Sequence, residues 1–320
     1  MKEHKIKLSI LKILSDGCFH SGEALGDQLG VSRAAISKHI QGIQKWGVDI
    51  FRVQGKGYQL AHSFQLLDEK AICRLVSTPV ELVPIIDSTN QYLIDRGESL
   101  QSGAACVAEY QSKGRGRRGR EWVSPFGSNL YLSMFWRLEA GMAAAMGLSL
   151  VVGVAIVEAL SDFGIKGIKL KWPNDLYYQD RKLAGILVEL SGQAGGAANL
   201  VIGMGMNLNM PHIMGDIDQP WSSLAQVTNG EEMDRNQLAA AMIRTLNKAM
   251  LAYEVDGMVG LVERWNCLDN YIDRPVKLML GSKTISGIAK GINDQGAILL
   301  ETGNGIESYI GGEISLRGND

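Results

Sequence analysis

The chain has 320 residues, 46% hydrophobic and 21% charged, with 32 Lys and Arg against 34 Asp and Glu for a formal net charge of -2. That composition excludes wholesale disorder, and the length suffices for two or three domains with their own cores. Thirty-eight glycines without a collagen period, against seven prolines, point to many tight turns and ligand loops.

The amino terminus, MKEHKIKLSILKIL, is basic and then apolar, but Lys12 and Asp16 interrupt it and no small-residue cleavage site comes after, so a secretory signal is not expected. Residues 1–62 carry a net +4 and the remainder a net -6, a basic module on an acidic body. Leu8, Leu11 and Leu14 fall at helical spacing and stop at Ser15-Asp16-Gly17. Ser21 can cap a short helix through Leu29, and Ser32 a third helix to about Trp46, whose buried stripe is Ile36, Ile40 and Ile43. The opposite face offers Ser32, Arg33, Ala34, Ser37, Lys38 and Gln41. A solvated helix face would look the same taken singly. Succeeded by a hairpin over Val48–Val53 and Tyr58–Leu60 with Arg52 and Lys56 near its basic tip, however, it resembles a winged helix-turn-helix that reads DNA.

Residues 61–66 read as a short connection, and the domains are expected at 1–62, 63–269 and 270–320. In the middle, strands over Val80–Ile86, Ala104–Glu109, Leu130–Trp136, Ile168–Trp172, Lys182–Leu190 and Leu200–Met206 mix with helices at Ser88–Arg96 and Arg235–Tyr253, which suggests an α+β domain around a mostly antiparallel sheet. The uncharged run Ala140–Val157 is long enough to span a membrane, but eight of its eighteen residues are Ala or Gly, and a buried core helix is expected. Short strands after Asn270 fit a small SH3-like barrel.

Three stretches carry chemistry. In EYQSKGRGRRGREW, Glu109 to Trp122, the glycines 114, 116 and 119 satisfy G-x-G-x-x-G, yet the chain continues into Pro125, Gly127 and an apolar strand rather than the helix a dinucleotide loop must open. Lys113, Arg115, Arg117, Arg118 and Arg120 repel one another unless an anion joins them, so the loop either cages a phosphate-bearing ligand or is a flexible basic surface. KWPND, Lys171 to Asp175, leads to Lys182 beside the small Ala184 and Gly185, leaving room at an ammonium for a carboxylate or phosphate, with Asp175 placed to orient a metal or a cationic side chain. GMGMNLN, Gly203 to Asn209, ends a strand in glycines and amides suited to close approach by a ligand. Cys18, Cys73, Cys106 and Cys267 form no metal or disulfide pattern, as for reduced thiols in the cytoplasm.

Taken together with Asp87-Ser88-Thr89-Asn90 and the terminal GGEISLR, these stretches resemble the biotin protein ligases, and with the winged module in front, the bifunctional bacterial ligases that also repress the biotin operon. The resemblance spans residues 5 to 317 and implies an α+β multidomain fold: winged helix-turn-helix, mixed-sheet catalytic domain of the biotin/lipoate ligase type, SH3-like carboxyl-terminal domain. It implies synthesis of biotinyl-5'-AMP from biotin and Mg-ATP, then transfer of biotin to a lysine of biotin carboxyl carrier protein. The adenylate would also act as corepressor of a homodimer on operator DNA, with no membrane role. By the same resemblance Ser88, Thr89, Asn90, Gln111, Arg115, Gly116, Arg117, Lys182 and Gly185 hold biotin. Lys182, Arg115, Arg117, Arg118 and Asp175 serve catalysis. Trp122, Arg117, Asn207, Ile213, Ile217 and Trp221 meet the adenylate, and no His or Cys nucleophile is needed. Two alternatives stay open: a ligase with no operator, and a lipoate-type acyl ligase.

Overall fold

In the amino-terminal quarter, apolar spacing becomes packing. A computed structural model describes residues 4–62, 64–192, 196–210, 217, 219–231, 233–280 and 283–310, and the backbone of 314–318. Helices α1 (Lys5–Leu14), α2 (Gly22–Leu29) and α3 (Arg33–Gln44) precede a hairpin of β1 (Ile50–Val53) and β2 (Gly57–Leu60). The Ser21 and Ser32 hydroxyls accept from Ala24 N at 3.0 Å and Ala35 N at 3.2 Å, satisfying first-turn amides as the sequence predicts. Ile36, Ile40 and Ile43 are buried against Ile10, Leu14 and Leu25. The third helix stops at Gln44, two residues before the predicted end.

The central sequence forms α4 (Glu69–Cys73), β3 (Val80–Leu82), β4 (Ile85–Ile86), α5 (Thr89–Ile94), β5 (Ala105–Ala108), β6 (Tyr110–Gln111), β7 (Asn129–Leu138), α6 (Leu148–Asp162), β8 (Lys169–Lys171), β9 (Asp175–Tyr178), β10 (Arg181–Gly192), β11 (Ala198–Asn207), α7 (Leu224–Val227), α8 (Arg235–Asp256) and α9 (Leu261–Leu268). One seven-stranded sheet runs β3-β5-β7-β11-β10-β9-β8, antiparallel except for β3 beside β5. Alternation along its strands sorts its two faces. Leu200, Ile202, Met204 and Met206 of β11 join the large core with residues of α6 and α8, while Val201 packs with Leu93 of α5 on the other side.

Three sequence expectations change. The strand expected over Val80–Ile86 is two pieces, because Pro84 lacks an N–H for the ladder and its carbonyl instead accepts from Glu109 N and Tyr110 N, both at 3.1 Å. The apolar helix begins at Leu148, since Gly147 takes φ 82 at its N-cap and Met142–Ala145 is a separate 3-10 turn. Nine of its fifteen residues are buried, which accounts for its apolarity. Strand β9 and helix α9 have no counterpart among the elements expected from sequence.

Strands β12 (Pro275–Leu280), β13 (Lys283–Ile292), β14 (Ile298–Thr302), β15 (Gly305–Tyr309) and β16 (Ile314–Gly318) form a five-stranded antiparallel sheet in the order β15-β14-β13-β12-β16, the SH3-like unit. Its Val276, Leu278 and Ile298 continue the central core. At the other end, Phe126 enters the winged module: its ring stacks 5.8 Å from Trp46 and its N–H donates to Trp46 O at 2.8 Å. The connection is tied down by Glu109, whose carboxylate accepts from Leu67 N at 2.6 Å and pairs with Arg235 at 2.8 Å.

Candidate active site

The floor of the site is polar and well partnered. Ser88 caps α5, which places Thr89 and Asn90 at its first turn against the sheet, each only 4% exposed. Thr89 donates through N and Oγ1 to Gln111 Oε1 at 2.9 and 3.2 Å. Ser133 Oγ lies 2.7 Å from Thr89 Oγ1 and 2.5 Å from Asn90 Oδ1, and Asn90 Nδ2 donates to Glu189 Oε2 at 2.7 Å. Gly203 is glycine for a steric reason, since any side chain there would run into the Asn90 amide.

The arginine-glycine loop folds as a narrow hairpin. Gly116 N donates to Arg120 O at 2.8 Å and Trp122 N to Gly114 O at 2.9 Å, around a single 3-10 turn, Arg117–Gly119, with Arg118 at φ 59. The next element is strand β7 and not a helix, so the dinucleotide reading is excluded. Three of the five cations have partners among the described residues. Lys113 pairs with Asp87 at 3.1 Å, Arg115 with Glu189 at 2.8 Å, and Arg117 donates to Asn174 Oδ1 at 3.2 Å. The protein thus supplies part of the negative charge that the sequence alone assigned to a ligand. Arg115 lines the cavity while directing its guanidinium to Glu189 and to Gln91. Burial holds the Arg117 guanidinium below its usual value, with Arg118 adding to the effect and Asp175 opposing it.

The opposite wall is the β9–β10 hairpin. Gln179 and Asp180 at its tip have φ 48 and φ 60, a two-residue turn with both residues left-handed. A bulge between Lys182 and Ala184 leaves Lys182 facing back across the hairpin, where Nζ meets Asp175 Oδ1 at 2.9 Å. Trp122 lies over this pair, its ring centre 5.4 Å from Nζ, and over Gly205, where a Cβ would come within 2.5 Å of the ring. Trp122 Nε1 is buried without a hydrogen-bond partner among the described residues, a donor left for a ligand.

Floor, loop and hairpin enclose a cavity of about 650 Å³. Its walls bring together Ser88, Thr89, Asn90, Gln111, Arg115, Gly116, Arg117, Arg118, Trp122, Asp175, Lys182 and Gly185, all singled out in the sequence. Asn207, Ile217 and Trp221 do not line it. The Asn207 amide donates inward to Ser222 O at 3.0 Å and Lys182 O at 3.4 Å, clasping the backbone under the lysine, and Gln219 and Pro220 take the wall beside it. Trp221 bridges the Lys182 backbone, through Pro220 O and Ser222 N. Ile213 and His212 lie outside the described residues. Lys171, the first residue of KWPND, also lines the cavity, as do Tyr271 and Arg274, which come from the carboxyl-terminal part of the chain and which no local pattern marks.

On the winged module, Ser32, Arg33, Ala34, Lys38 and Gln41 are exposed and Ser37 half-buried, while Arg52 and Lys56 stand exposed on the hairpin. The Ser32 hydroxyl is occupied as the helix cap.

Comparison with known proteins agrees with this layout. The chain matches the Biotin/lipoate A/B protein ligase family over residues 82–207, the Biotin protein ligase C terminal domain over 271–317 and an HTH domain over 7–59. It is 56% identical over 319 residues to Bifunctional ligase/repressor BirA of Salmonella typhimurium and 54% identical over 319 residues to that of Escherichia coli, covering 99% of this chain and of each relative. A solved biotin protein ligase from Aquifex aeolicus in complex with biotin and ATP superposes with a TM-score of 0.68 at 30% identity, covering 76% of this chain and 100% of the other.

Proposed function

The chain belongs to the biotin protein ligase family, in its bifunctional ligase/repressor branch, and from that premise we propose how its residues divide the work. It is a biotin–protein ligase that uses biotin and ATP, and its winged module makes it a repressor as well.

In the first step a biotin carboxylate oxygen attacks the α-phosphorus of Mg-ATP, and the bond to the β-phosphate breaks to release pyrophosphate. Two anions must approach, so the site needs preorganised positive charge where they meet. Lys182 meets that need. It is mostly buried, held at 2.9 Å by Asp175 until a substrate carboxylate and phosphate compete for it, and roofed by Trp122. That arrangement at the end of the cavity is the observation that carries the reading. Arg117 and Arg118 supply further charge, and the Ser88–Asn90 floor with Gln111 hydrogen-bonds the ureido ring. Trp122 offers a face to adenine and its free N–H to the ligand. In the second step the amine of the carrier lysine attacks the acyl carbon and AMP departs. The narrow arginine loop excludes water that would otherwise hydrolyse the anhydride.

Biotin carboxyl carrier protein is the proposed acceptor, and biotinyl-5'-AMP the corepressor that favours a homodimer on operator DNA. Strand β10 is paired with β9 only through Gly185, so among the described residues its edge from Val188 to Gly192 has no strand beside it, which supports docking there by either partner. The four cysteines are free thiols, in keeping with the cytoplasm. The test offers ATP, carrier and either biotin or lipoate to the full chain. Labelling of the carrier lysine by biotin alone is expected, and labelling by lipoate instead would overturn the substrate assignment.

A further inference from the structure

Glu189 stands between the floor of the pocket and the loop that covers it. Its carboxylate accepts from Asn90 Nδ2 at 2.7 Å on the floor, and from Arg115 Nη2 at 2.8 and 3.1 Å on the loop. Arg115 Nη1 donates in turn to Gln91 Oε1 at 2.7 Å, on the helix that carries Asn90. Glu189 lies outside both the GRGRRG and the KWPND stretches, and nothing in the sequence pattern around it singles it out.

We propose that Glu189 is a positioning residue that fastens the arginine loop over the pocket and thereby sets how long biotinyl-5'-AMP stays bound. The role rests on the adenylate-forming reading of the site. Arg115 sits in the hairpin closed by the Gly116–Arg120 and Trp122–Gly114 hydrogen bonds, so a hold on its guanidinium holds the whole loop, Trp122 included. A guanidinium reaching both oxygens of one carboxylate is a strong, charge-assisted contact. The pair is nonetheless about one-third exposed, 35% for Arg115 and 30% for Glu189, so water competes for it and the loop can open for substrate and release product. Because the same carboxylate binds Asn90, release of the loop also loosens the floor amide.

The experiment loads the full chain with biotin and α-labelled ATP, removes free nucleotide, and follows loss of the bound adenylate without carrier. Glu189→Gln, which keeps the shape and removes the charge, is expected to speed release about tenfold. Arg115→Met should do the same from the loop side, and Arg115→Lys should fall between. The double variant should release no faster than either single one, with melting temperature unchanged. Unchanged release, or effects that multiply in the double variant, would overturn the proposal. Should Glu189→Gln fail to fold, Arg115→Met decides alone by the same criterion. A wild-type chain that forms no biotin-dependent adenylate would instead overturn the ligase reading itself.

Discussion

The Lys182 ammonium lies 2.9 Å from the Asp175 carboxylate across the hairpin that both belong to, with the two side chains only 16% and 15% exposed. A pair so placed is expensive to break from one side, because the remaining charge is left in a poorly hydrated site. On the proposed reading it is also what an anionic substrate would displace.

Asp175→Asn is therefore expected to lower the rate of adenylate formation about 10- to 100-fold while leaving the lysine present. Single-turnover pyrophosphate release measures it. A rate equal to wild type would show that the carboxylate plays no part in placing Lys182.

Gly205→Ala puts a methyl within 2.5 Å of the Trp122 ring. Trp122 must move, at a cost of about 1–3 kcal/mol in overpacking. KM for ATP should rise about tenfold, with biotin binding much less affected, because Trp122 is assigned to the nucleotide. Steady-state kinetics with each substrate varied separates the two, and equal losses for both would contradict that assignment.

Most individual strands, the helices of the winged module and the three stretches of the site are legible in the sequence because each is local: Ile36, Ile40 and Ile43 make a helical stripe, and the glycines with arginines make a loop. The features that escape such a reading are non-local. Glu189 looks like any strand glutamate until Asn90 and Arg115 are brought to it, and Tyr271 and Arg274, between α9 and β12, reach the cavity beside Tyr177 and Asp180 of the hairpin. Asn207 is not in the cavity wall, and its amide donates to backbone carbonyls of Lys182 and Ser222, which its position in the GMGMNLN stretch does not reveal. The Glu189 partner of Arg115 escapes a sequence reading because it lies 74 residues away.

Burial pushes the Asp269 carboxyl up to about 6 from 3.8, against the Tyr271 N–H, Lys169 and Arg274, which lower it. A raised carboxyl stabilises the fold fully below its unfolded value near 4, and that contribution is lost as pH rises through 6. The loss amounts to about 3 kcal/mol. Asp269→Asn removes the titration, so its unfolding free energy relative to wild type should rise by that order between pH 4 and 7. Asp87, lowered chiefly by Ser112, and Asp180, lowered chiefly by Arg274, act in the opposite sense below pH 4 but cancel in the difference. A difference independent of pH would contradict the assignment.

On the proposed DNA-binding reading, the exposed Arg52 and Lys56 would meet phosphates and the α3 face would meet bases. Arg52→Ala should weaken binding to operator and to unrelated duplex alike, and reduce the slope of log affinity against log salt by about 1. Arg33→Ala should cost more on operator than on unrelated duplex. Titrations at several salt concentrations distinguish them, and an unchanged slope for Arg52→Ala would remove the hairpin from the interface.

The central claim is that Lys182 brings a biotin carboxylate and the α-phosphate of ATP together. Incubation of Lys182→Ala with biotin and α-labelled ATP, followed by separation of labelled biotinyl-5'-AMP, tests it most directly. Synthesis should fall about 10²–10³-fold with the fold intact by circular dichroism, whereas synthesis at the wild-type rate would contradict the account.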